Sequence, residues 1–184
     1  THPRPFWFRT RADFDALVAG EIASVDSTWT SRELLWSMGR VIVSIGCGHS
    51  QLASYFNQED SLIEPADRFP AHARLVADRP FALDPLINGD PLAVGDEIVG
   101  INGRDVADVI SDAFDRIPAD NGFTAAKRYR FNVYATSYLT YALGFPDSYS
   151  VTTSTADQSL PLASLGAFKH KPIVAPTDPC PDTL

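Results

Sequence analysis

The sequence predicts an α+β fold in which an amino-terminal helical region precedes a region of short strands and further helices. Two observations support this class. Apolar residues recur at spacings of three and four near the amino end, whereas short segments of strand character bounded by Pro, Asn, Gly and Asp follow later. We therefore expect a helical subdomain over 1–64, a strand-containing domain over 65–156 and an extended linker over 157–184.

The first helix is predicted over residues 10–25. Its start is marked by Thr10 and Asp13, which have the spacing of a capping box. The apolar residues that follow recur on one face of a helix: Phe14, Leu17, Val18, Ile22 and Val25. This pattern predicts an amphipathic helix with one face available for packing.

A second helix, over residues 30–45, is predicted by the same two signals. Thr30 and Glu33 have the capping-box spacing. The apolar residues behind them form one stripe: Leu34, Leu35, Met38, Val41, Ile42 and Ile45. We expect this helix to pack beside the first.

A linker and two short strands are predicted next. Residues 57–70 read NQEDSLIEPADRFP, an acidic stretch interrupted by two prolines, which favours a linker. Residues 71–76 (AHARLV) and 79–83 (RPFAL) have strand character. These strands begin the second domain.

The segment GDEIVGINGRDVADVISDAF, residues 95–114, predicts a strand, a tight turn and a helix in succession. The residues EIVGI favour a strand, and Asn102-Gly103 is typical of a two-residue hairpin turn. The helix that follows has one apolar face, made of Val106, Val109, Ile110, Ala113, Phe114 and Ile117.

Aromatic residues recur every three or four positions further along the chain: Phe131, Tyr134, Tyr138, Tyr141 and Phe145. The spacing fits a platform for sugars or bases, and it also fits a helix that packs an aromatic face into a core. We interpret it as core, because that arrangement is much commoner. Residues 148–156, SYSVTTSTA, predict another strand.

Composition excludes several classes of function. The formal net charge of −8, with no cluster of basic residues, argues against nucleic acid as a partner. No apolar run reaches the roughly 18 residues of a membrane span. The two cysteines, Cys47 and Cys180, lie far apart in the sequence, so they predict no zinc site, and whether they pair stays open.

The residues needed for self-contained catalysis are not found in the sequence. It has no G-x-S-x-G motif, and its four histidines lack the spacing of a metal site, so we expect no cofactor and no metal. The three lysines, Lys127, Lys169 and Lys171, are not expected in surroundings that would lower their pKa. The chain alone is therefore expected to be catalytically incomplete.

The segment GCGHS, residues 46–50, is the strongest local feature of the helical subdomain. Two glycines within three residues end an apolar helix and are followed by a single histidine, His49. The segment is either a loop that presents an imidazole or one that packs under a core.

The order of three motifs resembles the amino-terminal region of the S41 peptidases, the tail-specific or carboxy-terminal-processing serine proteases and their tricorn-like relatives. The motifs are THPRPFWFRTRADFDAL at the start, IGCGHS at the end of the second helix and VGDEIVGINGRDV further along. The resemblance covers roughly residues 1–155 and implies that the second domain is PDZ-like. Cys47 and Ser50 replace the acid and the threonine of the family's commoner Asp-Gly-His-Thr step.

The resemblance implies the non-catalytic amino-terminal and PDZ-like part of an exported S41-like serine endopeptidase. Such a part regulates or presents polypeptide substrate to a catalytic domain that supplies the nucleophilic serine. In tricorn-like members the corresponding histidine is the general base, which assigns that role to His49, with Ser50 as a secondary candidate. Other members use a serine and a lysine of the later domain. A free-standing PDZ-like peptide-binding module is the alternative.

Overall fold

The computed structural model describes residues 6–50, 68–85, 92–121, 123–155 and 160–162. These residues form an α+β fold with helices at the amino end and two small antiparallel sheets further along, as the sequence predicted. The helices are α1 Arg11–Ser24, α2 Ser31–Val43, α3 Val106–Phe114 and α4 Thr124–Ala142. The strands are β1 Ala71–Val76, β2 Arg79–Pro85, β3 Ile98–Ile101, β4 Arg104–Asp105, β5 Tyr149–Thr153 and β6 Leu160–Leu162.

The starts of α1 and α2 are capped as the sequence predicted. The Thr10 hydroxyl oxygen accepts a hydrogen bond from the backbone N–H of Asp13, at 3.1 Å. At α2 the box is reciprocal, because Thr30 accepts from the Glu33 N–H at 3.3 Å and the Thr30 N–H donates to the Glu33 carboxylate at 2.7 Å. These bonds satisfy backbone donors that a helix leaves unpaired at its first turn.

The strands form a hairpin and a four-stranded sheet. β1 pairs with β2 through a tight turn at Ala77 and Asp78, both with positive φ. The second sheet has the order β4-β3-β5-β6, and a bridge between Phe81 and Glu97 connects β2 to the start of β3. β6 lies in the segment predicted as a linker, so the sheet continues beyond residue 156.

The predicted strand, turn and helix are confirmed. Asn102 and Gly103 both have positive φ, as a type I′ turn requires. The Asn102 side chain fixes this turn to the next strand, because its amide oxygen accepts from the Ser150 N–H at 2.7 Å. Asp105 then caps α3 by accepting from the Ala107 N–H at 2.8 Å.

The aromatic repeat contributes to the core, as interpreted from the sequence. Phe131, Tyr138 and Tyr141 are buried on α4, and Tyr134 and Phe145 pack against them. α4 bends at Tyr134, whose backbone is not helical (φ −121°, ψ 26°). The core also contains the buried apolar residues of α3.

Trp36 attaches α2 to this core. Its ring stacks on Tyr141 with centroids 5.3 Å apart, and its indole N–H donates to Asp112 at 3.1 Å. The Arg116 guanidinium lies 4.6 Å from the centre of the same ring and donates to the Trp36 carbonyl at 2.9 Å. This aromatic and charged cluster therefore joins the helical region to α3 and α4.

The apolar stripes predicted on α1 and α2 are not the buried faces of these helices. α1 has no buried residue, and the largest side chain that α2 buries is Trp36. Of the predicted α2 stripe, Leu34 and Met38 are exposed and the other members are half-buried. Ile22 is 67% exposed and Leu34 is 42% exposed. The two stripes instead line an open apolar groove of about 210 Å³ between the helices. The expectation that α2 packs beside α1 is confirmed, because Ser37 and Arg40 of α2 both donate hydrogen bonds to the Glu21 carboxylate of α1.

Candidate functional site

The GCGHS loop begins where α2 ends. α2 stops at Val43, and Gly46 takes a φ of +73°, which reverses the chain. A side chain at Gly46 would also meet Phe8, whose nearest ring carbon would lie 2.9 Å from the added Cβ. A turn follows in which the Ser50 N–H donates to the Cys47 carbonyl at 3.0 Å. The first glycine is thus required by backbone conformation and by space.

The loop is attached to the connection between α3 and α4 and to α4 itself. The buried Gly48 donates its N–H to the Asp120 carboxylate at 2.9 Å, and its carbonyl accepts from Arg130 at 3.1 Å. The carbonyl of Gly46 accepts from the Asn121 N–H at 3.1 Å. These three bonds join residues more than 70 positions apart and hold the turn in one position.

The structure places the predicted site residues on the outer side of this turn. His49 is exposed and Ser50 is half-buried. Among the described residues no carboxylate forms an ion pair with His49. A general base in a serine hydrolase is usually oriented by a third group. Within the described ranges, the side chains that accompany His49 in this turn are the Cys47 thiol and the Ser50 hydroxyl.

Cys47 is a member of this loop to which the sequence analysis gave no role. The pKa of its thiol is lowered from the ordinary value of 9.0, chiefly because the backbone N–H of His49 donates to the sulfur. The Ser50 hydroxyl and the His49 imidazole lower this pKa further, whereas burial opposes the shift. The sequence did contain a signal for this contact, because Cys47 and His49 are separated by a single glycine. Cys180, the other cysteine, lies outside the described residues, as do His2 and His170.

Lys127 corrects one expectation about the lysines. Its side chain is half-buried beside a pocket of about 400 Å³ that also contacts Gly46 and Asp120. The ammonium donates to the Phe114 carbonyl at 2.6 Å. Burial lowers the pKa of Lys127, while the charge of Asp115 opposes that change. The expectation that no lysine has a lowered pKa was therefore wrong, because the packing of α3 on α4 was not visible in the sequence.

Side chains of α4 bind backbone N–H groups in β1 and just before it. The Leu75 N–H donates to the Asn132 side chain at 2.7 Å, and the Phe69 N–H donates to the Thr140 hydroxyl oxygen at 2.8 Å. A peptide that binds by strand addition needs free backbone groups at a sheet edge. In β1 the Leu75 N–H is therefore already bound by α4.

The described residues contain no group of three or more His, Cys, Asp or Glu side chains placed to hold a metal ion. Within the described ranges, no helix combines the length and the apolar character needed to cross a bilayer. No family model matches the sequence, and no curated protein matches it at a significant level. The likeness to the S41 peptidases thus rests on the order of the motifs quoted above.

Proposed function

We propose that this chain is the amino-terminal and PDZ-like part of an S41-like serine endopeptidase, where it presents polypeptide substrate to a catalytic domain that supplies the serine. The observation that carries the proposal is the turn at residues 47–50. It exposes His49 on a backbone that Asp120 and Arg130 hold in place.

The proposed chemistry assigns two successive proton transfers to His49. Its imidazole accepts the proton of the serine hydroxyl as the serine oxygen attacks the peptide carbonyl, and it then returns a proton to the leaving amine. A general base must come within about 2.6–3.2 Å of its nucleophile, so it has to remain accessible until the domains associate. The exposed position of His49 meets this requirement.

The apolar groove between α1 and α2 supports association with another domain. It is lined by Val18, Ile22, Leu34, Met38 and Ile42, and an exposed apolar surface of this kind commonly marks an interaction site. Ile42 is two residues before Ser44, the C-cap of α2, where the loop with His49 begins. A catalytic domain docked in the groove would lie near that loop.

The alternative, a free-standing PDZ-like peptide-binding module, requires an open strand edge. In β1 the Leu75 N–H is bound by Asn132 of α4, and before β1 the Phe69 N–H is bound by Thr140, which favours a structural or gating role for this domain over strand addition at β1. In the proposed function the domain positions the His49 loop and the substrate path, and it supplies no nucleophile.

The test uses the full-length parent polypeptide encoded by the same gene. In the tricorn-like case His49→Ala lowers kcat on an unstructured protein substrate by several orders of magnitude, with KM and the melting temperature little changed. His72→Ala, a change at a histidine of β1 far from the loop in sequence, is the matched control and retains activity. Ser50→Ala has a smaller effect, because a hydroxyl in this turn orients and does not transfer the proton.

Two outcomes test the endopeptidase proposal and the role of His49. A parent that continues into a domain with a serine labelled by a fluorophosphonate probe supports the endopeptidase, and a parent without such a serine contradicts it. Full activity in His49→Ala, with labelling retained, removes His49 from the mechanism and leaves the serine and lysine variant. The 184-residue chain alone is expected to show neither turnover nor labelling.

A further inference from the structure

A pocket of about 400 Å³ lies between α1, the end of α2 and the connection from α3 to α4, beside the loop that carries His49. Its lining contains more charged side chains than apolar ones. The charged residues are Arg9, Arg40, Asp115, Asp120 and Lys127. Pockets of roughly 300–1,000 Å³ are typical of small-molecule sites, in which a few polar groups fix the orientation of the ligand.

Two of these charges neutralise each other. The Nε atom of Arg40 lies 3.5 Å from an Asp115 carboxylate oxygen, and Nη1 of the same guanidinium lies 3.1 Å from the Glu21 carboxylate. A ligand would have to break these ion pairs to use either side chain. The charges left for a ligand are therefore those of Arg9, Lys127 and Asp120.

Arg9 supplies a positive charge that no described residue neutralises. Its side chain is half-buried, and within the described ranges no carboxylate forms an ion pair with it. A guanidinium can bind a carboxylate through two parallel hydrogen bonds. Arg9 is therefore available to an anionic group that enters the pocket.

Lys127 supplies a second positive charge. An ammonium has three N–H groups, and that of Lys127 donates to the Phe114 carbonyl at 2.6 Å. Burial lowers the pKa of this lysine, and the nearby charge of Asp115 compensates for only part of the lost hydration. A second carboxylate on the ligand would supply the missing compensation.

Asp120 makes the pocket unsuitable for a simple anion. The Asp120 carboxylate accepts the Gly48 N–H at 2.9 Å, and it forms no ion pair with any residue that the structure describes. This negative charge would repel an anion and attract an ammonium group. A ligand that answers all three charges carries two negative groups and one positive group.

We propose that this pocket binds an acidic α-amino acid, with its two carboxylates at Arg9 and Lys127 and its ammonium group at Asp120. Glutamate and aspartate carry this set of charges at neutral pH. Gly46 also lines the pocket, and Asp120 holds Gly48, so the ligand would lie against the base of the loop that carries His49. This proposal is independent of the endopeptidase function.

The test titrates the 184-residue protein with L-glutamate and with three analogues that each lack one charge, followed by calorimetry. L-glutamine lacks the side-chain carboxylate, isoglutamine lacks the α-carboxylate and N-acetyl-L-glutamate lacks the ammonium group. Glutamate is expected to bind with a Kd in the millimolar range or tighter. Each analogue should bind on the order of fivefold more weakly, because one pocket charge is left without its partner.

Three variants assign each charge to its residue. Arg9→Gln and Lys127→Met should each weaken glutamate binding on the order of fivefold. Asp120→Asn keeps an oxygen acceptor for the Gly48 N–H, and it should remove the preference for glutamate over N-acetyl-L-glutamate. Circular dichroism of each variant establishes that it is folded.

Control variants and NMR localise the ligand. Arg74→Gln and Asp147→Asn change exposed charges outside the pocket, and both should bind glutamate as the wild type does. The backbone amides of Gly46 and Asn121, which line the pocket, should shift during the titration. The amide of Gly20, which does not line it, should not shift.

The proposal is overturned if the wild type binds no glutamate at up to about 20 mM. Binding of any of the three analogues as tightly as glutamate also overturns it. So does wild-type affinity in folded Arg9→Gln and Lys127→Met, or a titration that leaves the amides of Gly46 and Asn121 unshifted.

Discussion

Replacement of Asp120 by alanine tests whether a residue distant in sequence holds the His49 loop in place. The Asp120 carboxylate accepts the N–H of the buried Gly48 at 2.9 Å, and alanine leaves that donor without its partner. A hydrogen bond to a charged group contributes about 1.5–3 kcal/mol, but the exposed position of Asp120 lets water compensate for part of the loss. We expect the free energy of unfolding to fall by about 1 kcal/mol.

Two measurements check this expectation. Urea unfolding gives the change in free energy, and hydrogen exchange should show the Gly48 amide losing roughly fivefold of its protection, as 1 kcal/mol implies. Asp120→Asn keeps an oxygen acceptor and should lose less stability. Asp147→Ala removes an exposed aspartate outside this contact and serves as the control. If Asp120→Ala changes neither the stability nor the exchange of Gly48, the carboxylate does not hold the turn.

Three further predictions concern single residues. Gly103→Val should lower the free energy of unfolding by on the order of 1–3 kcal/mol, because a β-branched residue is strained at a φ of +75°. For Cys47, alkylation by iodoacetamide is measured in a Cys180→Ser background. The rate should reach half its maximum below pH 9.0, the ordinary pKa of a thiol, and His49→Ala should raise the pH of this midpoint. Folding lowers the pKa of Lys127 below 10.5, so just below pH 10.5 the unfolded chain binds more protons than the folded protein. In that pH range the free energy of unfolding should therefore rise with pH in the wild type, and it should rise less in Lys127→Met.

Each of these has a contrary result. An unchanged melting temperature in Gly103→Val would contradict the turn conformation. Alkylation of Cys47 with an ordinary thiol midpoint would show that the His49 N–H does not stabilise the thiolate. For Lys127, the same pH dependence of the free energy of unfolding in the wild type and in Lys127→Met would show that folding does not lower the pKa of this lysine.

Local features of the fold could be predicted because the interactions that form them lie within a few residues. The Thr30 and Glu33 box needs only the first turn of its own helix. The Asn102-Gly103 turn depends on two backbone conformations that these residue types adopt readily. The candidate loop was found for the same reason, since paired glycines beside a histidine are visible without a fold.

The contacts that position the site come from residues distant in the chain. Asp120 and Arg130 reach Gly48 only after α3 and α4 have packed, and no local pattern connects them. The same packing lowers the pKa of Lys127.

The sequence by itself determined where α1 and α2 begin, where the chain turns at Asn102, and that the aromatic repeat of α4 faces the core. Only the tertiary structure decided which face of α2 is buried and which side chain of α4 binds the Leu75 N–H of β1. The physical reason is that periodicity shows a helix has an apolar face but does not identify its partner. Trp36 reaches Tyr141 across more than one hundred residues of chain, so no local pattern connects the two rings.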